Sequence, residues 1–370
     1  MDYCEKYIRS VLARADIQVD GTRPSDILVK DKRFYKRVFT GGVLGLGESY
    51  MDGDWECDSL DSFIARAIKG GAENKIEGWR NALHMLSGVI LNLGSKSRAR
   101  EVGEKHYNVG NDLYKRMLGK SMAYTCGYWD KAKTLDAAQE AKFELICKKI
   151  GIKEGMRVLD IGCGWGSFAH YIRKNYKASV LGVTISSEQV ALAKELYADD
   201  GVEIRLEDYR DVKGKFDRIV SIGMFEHVGY KNYRTYMEKV SSLLTDNGIF
   251  LLHVIGKNFS TVHSNPWIHK YIFPNGMLPS VKQIGEAIDN LLIMEDWHNF
   301  GPDYDKTLMA WHENFKANWD EIKGNYDERF YRMWEFYLLS CAGAFRARDF
   351  QLWQLVLTKK GVCGGYASVR

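Results

Sequence analysis

Alternate glycines after an apolar run constrain this chain more than any other feature. Val158-Leu159-Asp160-Ile161 leads into Gly162-Cys163-Gly164-Trp165-Gly166. An apolar strand that meets glycine at every second position, then a helix starting near Ser167, brings bare backbone to a ligand at the strand's carboxyl end. That is a nucleotide cradle on an α/β sheet. The order is D-x-G-x-G-x-G, whereas dinucleotide cradles use G-x-G-x-x-G. About 20 residues further on, where a dinucleotide site offers an acidic residue to the ribose, the next strand ends in Thr184, followed by Ser186, Glu188 and Gln189. A nicotinamide dehydrogenase is therefore disfavoured. The hydroxyl and amide groups of Thr184, Ser186 and Gln189 are expected to take over the ribose.

The surrounding pattern alternates helix and strand. Val180–Thr184, Val202–Leu206, Arg218–Ile222, Ile249–His253 and Leu355–Lys359 read as strands; Gln139–Ile150 and Tyr233–Leu244 read as helices. Ser186 with Gln189 three residues later predicts a capping box on the helix through Leu196. Together these predict a doubly wound α/β sheet with ligands at its strand ends. The third strand runs into Glu207-Asp208-Tyr209-Arg210, where Asp208 suits an adenine amino group and Tyr209 suits the ring. Asn111 and Asp112 are candidate caps of a helix through Leu113 and Met117. Gly256–Asp289, aromatic-rich and punctuated by Pro266, Pro274 and Pro279, reads as an insertion able to cover a pocket.

At 370 residues the chain exceeds one domain of about 100–200 residues. Residues 1–95 predict a smaller, mostly helical N-terminal domain and 96–370 a catalytic one. Tyr7, Val11 and Leu12 share a helical face, and Ile76, Trp79, Leu83, Leu86, Ile90 and Leu93 recur at steps of three and four, followed by Lys96, Arg98 and Arg100. The run Gly41–Gly53 between them is too rich in glycine to predict a regular element. A net charge of +4 does not advertise nucleic acid as a partner. The seven cysteines are odd in number and form no C-x-x-C pair, which fits a reducing, cytoplasmic compartment. Neither a signal pattern nor a run of about 18 apolar residues is present, so lipid would be met by peripheral contact.

The glycine spacing resembles the first motif of S-adenosylmethionine (AdoMet) methyltransferases. The likeness then extends over almost the whole chain, through Gly45–Met51, His106-Tyr107 with Gly110-Asn111-Asp112, Val158–Gly166, Gly182–Ser186, Met224–Gly229, Lys270–Gly276 and Cys341–Asp349. On these stretches the chain resembles the bacterial cyclopropane-fatty-acyl-phospholipid synthases, relatives of the mycolic acid cyclopropane synthases. The resemblance implies a seven-stranded AdoMet-methyltransferase-type sheet. It implies AdoMet as co-substrate, bound around Tyr124, Thr125, Asp160, Gly162, Cys163, Gly164, Gly166, Thr184, Ser186, Gln189, Asp208 and Tyr209.

It further implies a bicarbonate ion held by Cys126, Glu226, His253, the backbone of Ile255, and Tyr304, which would accept the proton lost as the ring closes. Glu226-His227 carries no H-E-x-x-H spacing, and no metal is expected. Cys341 reads as a pocket or packing residue, since the reaction needs no covalent enzyme intermediate. The expected partner is unsaturated phospholipid on the inner face of the cytoplasmic membrane, acted on by a homodimer whose helical domain assists lipid access or dimer contacts. Two other readings share the cradle: an AdoMet-dependent N-methyltransferase for a small amine or lipid headgroup, and a non-catalytic AdoMet- and lipid-binding module.

Overall fold

The alternation of Val158 and Leu159 decides how the sheet is covered. Successive strand residues face opposite ways, and in the computed structural model, which describes residues 1–72, 110–197 and 201–370, the two enter different cores. Val158, Val180, Val220, Leu251 and Val356 pack with residues of helices Leu135–Ile150, Ser167–Tyr176 and Ser187–Leu196. Leu159, Leu181, Ile219, Leu252 and Leu355 pack with residues of Tyr233–Leu243 and Val281–Ile288. The sheet is therefore doubly wound, as the pattern predicts.

Its seven strands are β1 (Arg157–Ile161), β2 (Ser179–Thr184), β3 (Glu203–Leu206), β4 (Phe216–Ile222), β5 (Leu244–Lys257), β6 (Ile293–Asn299) and β7 (Phe350–Thr358). They lie in the order β3-β2-β1-β4-β5-β7-β6. The pairs from β3 through β5 are parallel, and β6 runs antiparallel to β7. Strand order reverses at β1, between β2 and β4, which is where a doubly wound sheet opens a crevice at its carboxyl ends. Strand β6 is not predicted by the sequence pattern. Its residues Glu295, Asp296 and His298 break the apolar signal, and only Asp296 is buried, held by Arg370 at 2.6 Å.

The described residues divide into two compact units. The sheet belongs to one. The other combines residues 1–72 with Val262–Pro274 and Tyr304–Phe350; it is mostly helical, with Tyr3–Arg14, Arg33–Met51, Leu60–Lys69, Pro266–Tyr271 and Glu328–Arg346 among its helices. The predicted helix over Ile76–Leu93, the basic residues after it, the His106-Tyr107 pair and the division near residue 95 lie outside the described residues.

Two local expectations are corrected. The glycine-rich run is helical: Arg33–Met51 passes through it with one break at Gly42, where φ is 59° and ψ is −137°. The glycines serve close approach instead, since a β-carbon at Gly45 would strike the carbonyl of Arg37 and one at Gly47 the indole of Trp267. Asn111 opens its helix without capping it, and its side-chain oxygen accepts from Trp165 Nε1 at 3.1 Å.

Candidate functional site

Each cradle glycine has positive φ: 79° at Gly162, 56° at Gly164 and 85° at Gly166, a region that side chains with a β-carbon rarely occupy. Met224 packs where a side chain on Gly162 would stand, and no atom lies within 4 Å of that position at Gly164. Bare backbone thus borders open space at the turn. Just before it, Asp160 is 2% exposed and its Oδ1 has no hydrogen-bond partner. Burial pushes this carboxyl up to about 7 against the opposing pull of Lys142. A buried carboxyl oxygen without a donor suits the amino group of an amino-acid ligand.

Tyr124 and Thr125 are brought to the same turn. The Tyr124 ring lies 5.3 Å from Tyr114, which lies 5.0 Å from Trp165. Thr125 covers Gly223, just past the end of β4. At the end of β2, the Thr184 hydroxyl donates to Gln189 Oε1 at 2.7 Å and accepts from the Ser186 amide at 3.3 Å. Ser186 caps the following helix through the Gln189 amide, so the Gln189 side chain bonds Thr184 rather than closing the predicted box. Cys163 packs against Gly182. Beyond β3, Asp208 is taken by Arg210 at 2.6 and 2.8 Å, and Tyr209 stacks edge-on to Tyr236 at 5.1 Å.

A second polar group gathers at the end of β5. Strand β4 stops at Ile222, paired with His253, so the amide of Ile255 extends beyond it. That amide donates to Glu226 Oε1 at 2.8 Å. Glu226 sits in the 3-10 turn Phe225–His227 and is 6% exposed. Burial pushes its carboxyl up to about 7, with the Ile255 hydrogen bond opposing, and Oε2 has no partner.

His253 lies two residues before Ile255, on the same face of the sheet, and is 1% exposed. Burial holds it well below its ordinary range, hence neutral. Its Nδ1 is 3.2 Å from Gln354 Nε2, and its Nε2 has no partner. Phe300 meets the His253 ring edge-on at 5.9 Å and the Tyr128 ring at 5.4 Å. Cys126 is fully buried, its thiol donating to the Gly127 carbonyl at 3.1 Å.

The structure therefore brings Glu226, His253 and Ile255 together. Tyr304 and Cys341 belong to the helical unit. The Tyr304 ring lies against Phe345 at 4.6 Å and Trp311 at 5.9 Å. Cys341 is half-buried on Glu328–Arg346, and desolvation pushes its thiol up to about 12.

One residue of this region is not anticipated by the sequence reading. Lys142 is fully buried on helix Leu135–Ile150, which covers the sheet face carrying Asp160 and His253. Its ammonium donates to Thr125 Oγ1 at 2.8 Å and Gln139 Oε1 at 2.6 Å. Gln139 in turn donates to the Thr125 carbonyl at 2.8 Å. Burial lowers Lys142 to about 7, against the pull of Cys126 and Asp160. Its sequence signal was its place in a buried stripe, Leu135, Ala138, Gln139, Lys142, Ile146, where helical phase demands an apolar residue.

Comparison with known proteins gives the family and the fold. Residues 94–355 match the family model described as mycolic acid cyclopropane synthetase. The chain is 54% identical, over 97% of its length and 94% of the relative's, to the cyclopropane-fatty-acyl-phospholipid synthase of Escherichia coli K12. Among solved structures, the cyclopropane synthase MmaA2 of Mycobacterium tuberculosis superposes with a TM-score of 0.67 at 27% identity, covering 73% of this chain and 100% of that one. The mycolic acid cyclopropane synthase CmaA1, complexed with SAH and CTAB, gives 0.66 at 29% identity, covering 70% and 98%.

Proposed function

The chain belongs to the mycolic acid cyclopropane synthetase family, and on that premise we propose that it uses AdoMet to add a methylene group across the cis double bond of unsaturated phospholipid acyl chains. The observation that carries the reading is the pair of buried, unpartnered atoms Glu226 Oε2 and His253 Nε2 at the end of β5, beside the aromatic rings of Phe300 and Tyr128. Ring closure requires a base for a C–H proton, and these two atoms are placed to hold one.

The chemistry explains the need. The alkene π pair attacks the sulfonium methyl; the carbon–sulfur bond breaks with its electrons going to sulfur, and a cation is left on the neighbouring chain carbon. Ring faces stabilise such a cation. Loss of a proton from the new methyl, its C–H electrons closing onto the cation, completes the three-membered ring. A bicarbonate held beside Glu226, His253, Cys126 and the Ile255 amide would supply the base for that proton.

The residues present fit a small anion. A neutral imidazole and a carboxyl raised to about 7 admit a negative charge that an ionised Glu226 would repel. Asp160, the open turn at Gly164, Tyr124, Thr125, Thr184, Ser186, Gln189, Asp208 and Tyr209 would hold AdoMet.

Peripheral docking on the inner leaflet and a homodimer complete the proposal, since two docking surfaces in one particle raise effective affinity. Among the described residues no helix is long and apolar enough to cross a membrane. The test is whether unsaturated acyl chains, and not saturated ones, gain mass in the presence of AdoMet.

A further inference from the structure

Strand β7 sends Leu352, Gln354 and Val356 to one face of the sheet, and all three are fully buried. Two are aliphatic. An amide between them incurs a desolvation cost unless it is hydrogen-bonded, and the bond it makes is to His253: Gln354 Nε2 stands 3.2 Å from His253 Nδ1. His253 occupies the same sheet face on the neighbouring strand β5, where Leu251 enters the core that also holds Val356.

With its Nε2 turned to the ring and its Oε1 left buried without a partner, the Gln354 amide donates, so in this orientation the Nδ1 it faces is the unprotonated nitrogen and the imidazole proton sits on Nε2. That second nitrogen is buried and has no partner in the protein. The ring it belongs to is neutral, because burial lowers its pKa, with the charges of Lys142 and Lys149 acting in the same direction.

We propose that Gln354 is a positioning residue that locks His253 in its Nε2–H tautomer, so that the imidazole presents a hydrogen-bond donor to an anion at the Glu226 site and does not itself act as the base. The inference rests on the reading that an anion is held there. It separates two roles a histidine in this place can have. With the proton on Nδ1, Nε2 would carry a lone pair, compete for the substrate's proton and repel an anion's oxygen. With the proton on Nε2, it fixes the anion's orientation and leaves proton removal to the anion. Gln354 contacts neither substrate nor anion in this account; it acts through the ring.

The experiment has two arms. Long-range proton–nitrogen correlation spectra of the full chain labelled with ¹⁵N-histidine, with His253→Asn identifying the signal, report the tautomer in the absence of any substrate. The expected spectrum shows a protonated Nε2 and an unprotonated Nδ1; a protonated Nδ1 overturns the proposal. In the second arm, the rate on vesicles of unsaturated phosphatidylethanolamine and phosphatidylglycerol is titrated with bicarbonate in carbonate-depleted buffer.

Gln354→Met, similar in volume but unable to donate, is expected to raise the half-saturating bicarbonate concentration about tenfold, the loss of one buried hydrogen bond. Its AdoMet dissociation constant should be unchanged and its unfolding cooperative. An unchanged bicarbonate requirement, or an equal weakening of AdoMet binding, assigns Gln354 a merely structural part and overturns the proposal. A wild-type rate indifferent to bicarbonate defeats the anion reading itself, and the substrate-free spectrum tells that failure apart from a wrong tautomer.

Discussion

The backbone amide of Ile255 donates to Glu226 Oε1 at 2.8 Å, which clamps the carboxyl following β4 to the end of β5 and leaves Oε2 buried without a partner. Glutamine preserves that acceptor but cannot ionise or give up a proton. Glu226→Gln, which cannot take up the proton that the bound anion receives, is therefore expected to lower turnover by about 100-fold or more, the range of a proton-transfer step, while AdoMet binding measured by calorimetry stays within about threefold. A variant that loses AdoMet binding together with turnover would place Glu226 in the cofactor site instead.

The same carboxyl makes stability depend on pH. Its ordinary value is 4.5, and in the fold it is raised to about 7. Below 4.5 both folded and unfolded chains hold the proton. Between 4.5 and about 7 the folded chain keeps a proton that the unfolded chain has released, so stability falls as pH rises across this window and stays low above it. Glu226→Gln lacks this contribution. Relative to wild type, its stability is expected to improve between about pH 5 and pH 8, by at most on the order of 3 kcal/mol. Thermal unfolding of the two proteins across that range checks this; parallel curves would show that the carboxyl is not raised.

Lys142 holds Thr125 and Gln139 through its ammonium and pulls on Asp160. Lys142→Met leaves Gln139 Oε1 buried without that donor, at about 1–3 kcal/mol, and releases the stretch from Tyr124 to Cys126. The melting temperature is expected to fall and the AdoMet dissociation constant to rise about tenfold. A variant with wild-type AdoMet affinity would reduce Lys142 to a packing role.

The cradle and most of the strands were legible because glycine order and apolar runs are local signals. Strand β6 was not, since Asp296 is buried through an ion pair with Arg370 at the far end of the chain, and no window around Ile293–Asn299 contains that partner. The glycine-rich run was misread for a related reason. Gly45 and Gly47 look like breakers in isolation, yet they are required by the carbonyl of Arg37 and by Trp267, some 220 positions away in the chain. Glu226 and His253 were reached only through family likeness, while Gln354 reads as one polar residue in an otherwise buried strand.

Gly47 supplies a test of that correction. A methyl group there meets the indole of Trp267, a rigid neighbour, so Gly47→Ala is expected to destabilise by about 1–3 kcal/mol. At Gly41 no atom lies within 4 Å of the added carbon, and Gly41→Ala should be neutral or stabilising by up to about 1 kcal/mol. Denaturant unfolding of both variants measures the contrast; equal effects would mean that the helix does not approach Trp267 as described.

The most direct test of the central claim is mass spectrometry of phospholipid acyl chains and headgroups, analysed separately, after incubation with AdoMet and vesicles carrying either monounsaturated or saturated chains. A gain of one methylene is expected, confined to unsaturated chains, with loss of the double bond and release of S-adenosylhomocysteine. A methyl gained on the headgroup regardless of unsaturation, or no gain on any lipid despite AdoMet binding, would contradict it.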